Sequence, residues 1–186
     1  MTLQIVLMRH GRPLLPRAGW VGPAGMAQWI AAYDRAEVPA DSAPAAARAV
    51  AASANCVVSS TLERARSSAL ALGVAANANA VFCETTLPHA QWALPRLPAG
   101  LWAGVFRLLW LAGYASHGES LGQSRERAAV GAQRLIELAL QGPVLLVGHG
   151  IMNRLIAREL RAAGWRQAGA HPGGYWGAAV YRKGLN

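Results

Sequence analysis

The run Leu3-Gln4-Ile5-Val6-Leu7-Met8, closed by Arg9-His10-Gly11, decides how the rest of the chain is read. A short apolar run that ends abruptly at a charged residue and a glycine has the form of a strand buried on both faces. The form recurs at Cys56-Val57-Val58-Ser59, at Val81-Phe82-Cys83, and at Val144-Leu145-Leu146-Val147, the last closed by Gly148-His149-Gly150. Tyr175 to Tyr181 reads as a final strand. Helical segments lie between these runs. They are Ala24 to Asp34, Ala45 to Ala54, a helix capped by Ser60 or Thr61 that runs to Leu72, and an apolar helix from Ala99 to Leu111. Leu121 to Gln141 follows, with Ala128, Ala132, Leu135, Ile136 and Ala139 at helical spacing, and then Ile151 to Ala163, with Ile151, Leu155, Ile156 and Leu160 inward. Arg12 to Pro23 is a loop. Alternation of strand and helix predicts an α/β protein, a three-layer αβα sandwich around a mainly parallel sheet. Residues 1–186 form one domain in this reading, with a Pro- and Trp-rich insert at about 85–117.

The composition agrees. A chain of 186 residues and 19.6 kDa suits a single core, and 53% hydrophobic against 15% charged residues excludes a disordered chain. The longest apolar stretch, Leu101 to Ala115, is interrupted by Arg107 and falls short of the roughly 20 residues that span a bilayer. The apolar run at Leu3 to Met8 is too short for a secretory h-region, so a soluble, cytoplasmic protein without membrane contact is expected. The formal charge is +9, carried by 17 Arg and the single Lys183. These arginines are scattered rather than clustered, so nucleic acid is not the expected partner. A guanidinium fork matches phosphate oxygens, and a few placed arginines can serve one phosphoryl group. Cys56 and Cys83 lack metal-ligand spacing and read as small buried residues.

In an open α/β sheet, ligands sit beyond the carboxyl ends of the strands. The polar clusters Arg9-His10-Gly11, Ser59-Ser60 with Arg64, and Gly148-His149-Gly150 all fall at such ends. Two guanidinium forks and a helix N-terminus can hold three phosphoryl oxygens while one neutral imidazole attacks phosphorus. No metal or other cofactor is implied. Other phosphatase chemistries lack their residues: the sixth position after Cys56 is Leu62 and after Cys83 is His89, so no Cys-x5-Arg loop exists, and no Asp follows Asp41 to pair at a magnesium site.

Leu7-Met8-Arg9-His10-Gly11, then Ser59-Ser60-Thr61-Leu62-Glu63-Arg64-Ala65, Gly118-Glu119-Ser120 and Val147-Gly148-His149-Gly150 resemble, in order and spacing, the histidine phosphatase superfamily, also called phosphoglycerate mutase-like. The resemblance implies a phosphatase that hydrolyses a phosphomonoester through a phosphohistidine on His10. Arg9, Arg64 and His149 would hold the phosphoryl group, with Arg12 a further contact at the rim. It also implies a general acid after the third strand, which points to Glu84. Glu119 is the alternative. Of the other carboxylates beyond Asp41, Glu126, Glu137 and Glu159 fall inside helices, and Glu63 should point away from Arg64. His89 is a weaker proton donor, and His117 and His171 read as surface residues. His149 is not followed by Asp, unlike the acid phosphatase and phytase branch, and Arg12-Pro13 stands where the mutases carry polar residues. A stand-alone phosphatase is therefore favoured over a phosphomutase. The expected partner is a small phosphorylated substrate, with a phosphoprotein as alternative; no feature specifies an oligomeric state.

Two further readings stay open. One is a regulatory homologue that keeps the phosphate pocket without turnover. The other is a serine esterase, because Gly118-Glu119-Ser120-Leu121-Gly122 matches the nucleophile elbow; that reading needs a strand before Ser120, with Glu159 and His171 as partners.

Overall fold

The structure is a computed structural model that describes residues 2–15, 19–169 and 173–184. Its centre is a six-stranded sheet. In chain order the strands that enter it are β1 (Thr2–Arg9), β3 (Cys56–Ser59), β4 (Asn77–Ala78), β6 (Val144–Gly148), β7 (Arg166–Ala168) and β8 (Ala178–Gly184), while β2 (Trp20–Val21) and β5 (Leu97–Pro98) form a separate antiparallel ladder. The sheet order is β4-β3-β6-β1-β8-β7, parallel from β4 to β1 and antiparallel at β8 and β7.

Alternation along β1 explains why it reads as one apolar run. Ile5 and Leu7 face α5 (Leu121–Ala139) and α6 (Gly150–Ala162), while Val6 and Met8 face α2 (Ala45–Ala52) and α3 (Glu63–Ala71). Strand β6 is divided in the same way, with Val144 and Leu146 on one side and Leu145 and Val147 on the other, all fully buried. Each of the two leucines contributes about 1.5–3 kcal/mol through that burial. The remaining helices, α1 (Met26–Asp34) and α4 (Ala99–Leu111), form a third apolar cluster of their own, built on Met26, Ala90, Ala99, Trp102 and Phe106. Trp102 and Trp110 are thus packing residues, and the Trp110 indole N–H donates to the Glu119 carbonyl at 2.7 Å. No helix among the described residues is long and apolar enough to cross a membrane.

Several elements depart from expectation. Val81-Phe82-Cys83 is not a strand: Ala80–Phe82 is one 3-10 turn, because the Asn79 side chain accepts the Val81 N–H at 3.0 Å and Phe82 turns inward as a single buried ring. The strand that pairs with β3 is the two-residue β4, a few positions earlier. Helix α3 is capped at Leu62, not at Ser60 or Thr61; the Ser60 hydroxyl instead accepts the Leu62 N–H at 3.2 Å and faces His149. The last strand begins at Ala178, since Trp176 adopts φ 62°, a left-handed conformation that interrupts extended chain. Cys56 and Cys83 are half-buried free thiols rather than buried ones. Ser120 is the N-cap of α5 in a capping box with Gln123, and the element before it is helix α4, so no strand leads into a nucleophile elbow. The esterase reading fails on that placement; His171 lies outside the described residues.

Candidate active site

Because β3, β6 and β1 are neighbours, their carboxyl ends bring Ser60, His149 and His10 to one edge of the sheet. The His10 N–H donates to the Gly148 carbonyl at 2.9 Å, which locks the two histidine turns together. His10 is buried, and its Nδ1 lies 2.7 Å from the Gly11 carbonyl. A carbonyl only accepts, so Nδ1 carries the proton and Nε2 presents a bare lone pair. Gly11 is required here: a Cβ would collide with the Trp176 ring and with Val38.

Burial pulls the His10 pKa down to about 3; the Gly11 hydrogen bond opposes this, while Arg64 and Arg9 add to it. His149, fully buried, is held well below its ordinary value, first by burial and then by Arg64, His10 and Arg9. Its ring centroid is 5.1 Å from that of His10, and its Nε2 is 2.6 Å from Ser60 Oγ. Ser60 Oγ also accepts from Leu62; with the Ser60 proton given to Nε2, the His149 proton would sit on Nδ1, a buried atom with no partner among the described residues.

Arg64, on the first turn of α3, is 2% exposed. Its Nη1 donates to Asp34 Oδ1 at 2.8 Å and to the Tyr33 carbonyl at 3.2 Å, while its Nε is buried and unpartnered, as is the Nε of Arg9. The Nε–H groups of Arg9 and Arg64 are thus buried donors without partners among the described residues, and in that tautomer His149 Nδ1–H is a third. Buried donors are rarely left unpaired, and an oxyanion would satisfy all three.

Glu84 follows the 3-10 turn and reaches the start of α6. Its carboxylate accepts the N–H groups of Ile151 at 3.1 Å, Met152 at 2.9 Å and Thr85 at 3.0 Å. A carboxylate seated on a helix N-terminus satisfies orphan donors and complements the dipole. Glu119 is engaged elsewhere: Arg127 donates to it through Nε at 2.9 Å and Nη2 at 2.6 Å. Burial alone would raise the Glu119 pKa, but Arg127 overrides it and the net direction is down. The same Arg127 also donates to the Val81 and Cys83 carbonyls, which secures the backbone just before Glu84.

Arg9, His10, Arg64 and Glu84 open into a cavity of about 490 Å³, whereas His149 lines a neighbouring cavity of about 310 Å³ that Arg9 and Gly150 also border. The larger cavity is lined as well by Trp29, Ile30 and Tyr33 of α1, and by Ala103 and Arg107 of α4. Arg12 is exposed and does not line it, and Glu63 pairs with Arg66 on the surface. His89 and His117 stack on each other at 4.7 Å, away from the cavity. Sequence reasoning missed Asp34, Tyr33, Arg107 and Arg154. Arg107, whose Nη1 donates to Thr85 Oγ1 at 2.6 Å, carried a readable signal as the one charge in an otherwise apolar stretch.

The depressed histidines predict acid sensitivity. His10 has a folded pKa below its unfolded value, so its neutral form contributes stability fully above about pH 6.5, and that contribution is lost as the pH falls toward 3. The cost is about 2 kcal/mol at pH 5, by the factor of 1.36 kcal/mol per pH unit. His149 acts in the same direction. Urea midpoints at pH 7 and pH 5 should show the decline; equal midpoints would contradict it.

The sheet order and the helices on both faces define an α/β fold of the phosphoglycerate mutase-like type. Mycobacterial glucosyl-3-phosphoglycerate phosphatase superposes on it with a TM-score of 0.54 at 22% identity, over 86% of this chain and 80% of that one. Its complex with VO3 covers 96% of this chain and 90% of its own, with a TM-score of 0.53 and 21% identity, and the same phosphatase has also been solved with inorganic phosphate. The product of an open reading frame from Mycobacterium tuberculosis gives a TM-score of 0.54 at 18% identity, over 83% of this chain and 77% of its own. No protein-family model and no curated protein matches the sequence.

Proposed function

We propose that this protein is a metal-independent phosphatase that hydrolyses a small phosphomonoester through a phosphohistidine on His10. The observation that carries the reading is the His10 imidazole, neutral and with Nε2 bare, beside the buried Nε–H donors of Arg9 and Arg64, which lack partners among the described residues. The fold's likeness to a phosphatase solved with phosphate and with VO3 supports it.

In the first step Nε2 attacks phosphorus and the bond to the leaving oxygen breaks. Arg9, Arg64 and His149 hold the phosphoryl oxygens, and Glu84 gives a proton to the departing alkoxide. In the second step water attacks phosphorus, the N–P bond breaks, and the Glu84 carboxylate takes the water proton. Three backbone N–H donors fix the position of the Glu84 carboxyl group, which acts as base in the second step. The monoester monoanion brings a proton, since a phosphate's second pKa is about 6; it passes from the phosphate oxygen to the Glu84 carboxylate and from there to the leaving oxygen. Mildly acidic turnover follows, and His10 stays neutral there. Helices α1 and α4, with the insert at about 85–117, cover the organic part of the substrate.

The test is hydrolysis of p-nitrophenyl phosphate in EDTA, with a base-stable, acid-labile phosphoryl label trapped on the protein. Turnover without label would argue against the covalent route. Phosphate binding without turnover would leave the regulatory reading in its place.

A further inference from the structure

The two arginines beside His10 lie on two tyrosines. The Arg64 guanidinium carbon stands 4.5 Å from the Tyr33 ring centroid, and that of Arg9 stands 4.5 Å from the Tyr175 ring centroid. The Tyr175 ring is also 5.6 Å from His10, and Tyr33 stacks on Trp29 at 5.4 Å and 11°. The two tyrosines come from opposite ends of the chain, one on α1 and one in the segment before β8. That segment is fastened to the site through its backbone: the Trp176 N–H donates to the Arg9 carbonyl at 3.1 Å, and the Gly177 carbonyl accepts the Arg9 N–H at 2.9 Å. Trp176 holds φ 62° there, an uncommon conformation for a residue other than glycine, kept beside the site by its surroundings.

A guanidinium offers its plane to an aromatic face and its edge to hydrogen-bond acceptors. A carboxylate partner would consume edge donors and cancel the charge. A neutral ring does neither: at Arg64, Asp34 and the Tyr33 carbonyl take only Nη1, and the ring fixes the plane while the Nε of each arginine has no partner among the described residues. Burial, with Tyr175 beside it, pushes the Tyr33 hydroxyl up to about 12 against the pull of Arg64 and Arg9, so this phenol stays neutral in the working range.

We propose that Tyr33 and Tyr175 are positioning residues: each backs one of the arginines that hold the phosphoryl group and keeps its fork aimed before substrate arrives. This rests on the phosphatase reading. The experiment measures the inhibition constant for vanadate with p-nitrophenyl phosphate as substrate and, independently of turnover, the rise in unfolding temperature caused by orthophosphate. Tyr175→Leu removes a ring on an exposed residue and should weaken vanadate by about 2- to 5-fold, the range expected for a cation–π contact at an exposed site. Tyr175→Phe keeps the ring and should restore the affinity to within about twofold; Tyr33→Leu and Tyr33→Phe should behave alike, with circular dichroism confirming that each variant is folded. Leucine variants equal to wild type would overturn the proposal, as would phenylalanine variants as weak as the leucine ones. A wild-type protein that neither turns over substrate nor responds to orthophosphate would instead overturn the phosphatase reading.

Discussion

His10→Ala is expected to lower kcat/KM for p-nitrophenyl phosphate by at least about a thousandfold and to abolish the acid-labile label, because His10 is the nucleophile of the proposed route and the other described groups beside it are engaged elsewhere. His149 is not placed to take over: its Nε2 is paired with Ser60 at 2.6 Å, and its Nδ1 is buried. Ser60 is paired with the same imidazole, and Glu84 is held by two backbone N–H groups at the start of α6 and by that of Thr85. Binding should survive the change, since Arg9, Arg64 and His149 remain, so orthophosphate should still raise the unfolding temperature of the variant. Stability gives a second, independent signature. The buried imidazole that resists protonation is gone, so the loss of stability between pH 7 and pH 5 should be shallower by about 2 kcal/mol in His10→Ala. A variant with turnover unchanged would remove His10 from the mechanism whatever its stability.

The parts of this site that were legible in the sequence are those on central strands. Leu3 to Met8, Cys56 to Ser59 and Val144 to Val147 are buried on both faces, and a strand of that kind writes itself as an unbroken apolar run. Their abrupt polar ends place His10, Ser60 and His149 together without further information, and helix α4 has the bounds its composition suggests. The third strand was misplaced because a three-residue apolar run is equally compatible with one turn packed by a single ring, and Asn79 decided for the turn. The ladder of β2 with β5 was invisible, since its pairing of Trp20 with Pro98 is a tertiary event across nearly 80 residues. For the same reason Asp34, Tyr33 and Tyr175 went unseen. Their identities are ordinary, and only the packing of α1 and of the segment before β8 brings them to Arg64 and Arg9. Glu84, favoured over Glu119 from its place after the third apolar run, differs from it most in partners, which local sequence does not show.

Glu84→Gln is expected to separate substrates by leaving group. For an alkyl phosphate, whose alkoxide is a poor leaving group, kcat/KM should fall by about 10²- to 10⁴-fold, the usual contribution of a placed general acid. For p-nitrophenyl phosphate the leaving phenolate needs little help, and kcat/KM should change by less than about tenfold. The second step loses its base in both cases, so the phosphohistidine should accumulate and a burst of p-nitrophenol should precede a slow steady state. The variant also has a structural cost. A glutamine can turn only one oxygen to the N–H groups of Ile151 and Met152, and the lost charge no longer complements the helix end, which together cost about 1–2 kcal/mol. That cost applies equally to both substrates, so it cannot mimic the separation. Glu119→Gln supplies the contrast: it breaks the pairing with Arg127 and loosens the backbone at Val81 and Cys83, so it should lower stability and affect both substrates in the same proportion. Equal losses for the two substrates in Glu84→Gln would exclude Glu84 as the acid, and a leaving-group dependence in Glu119→Gln would move the role there.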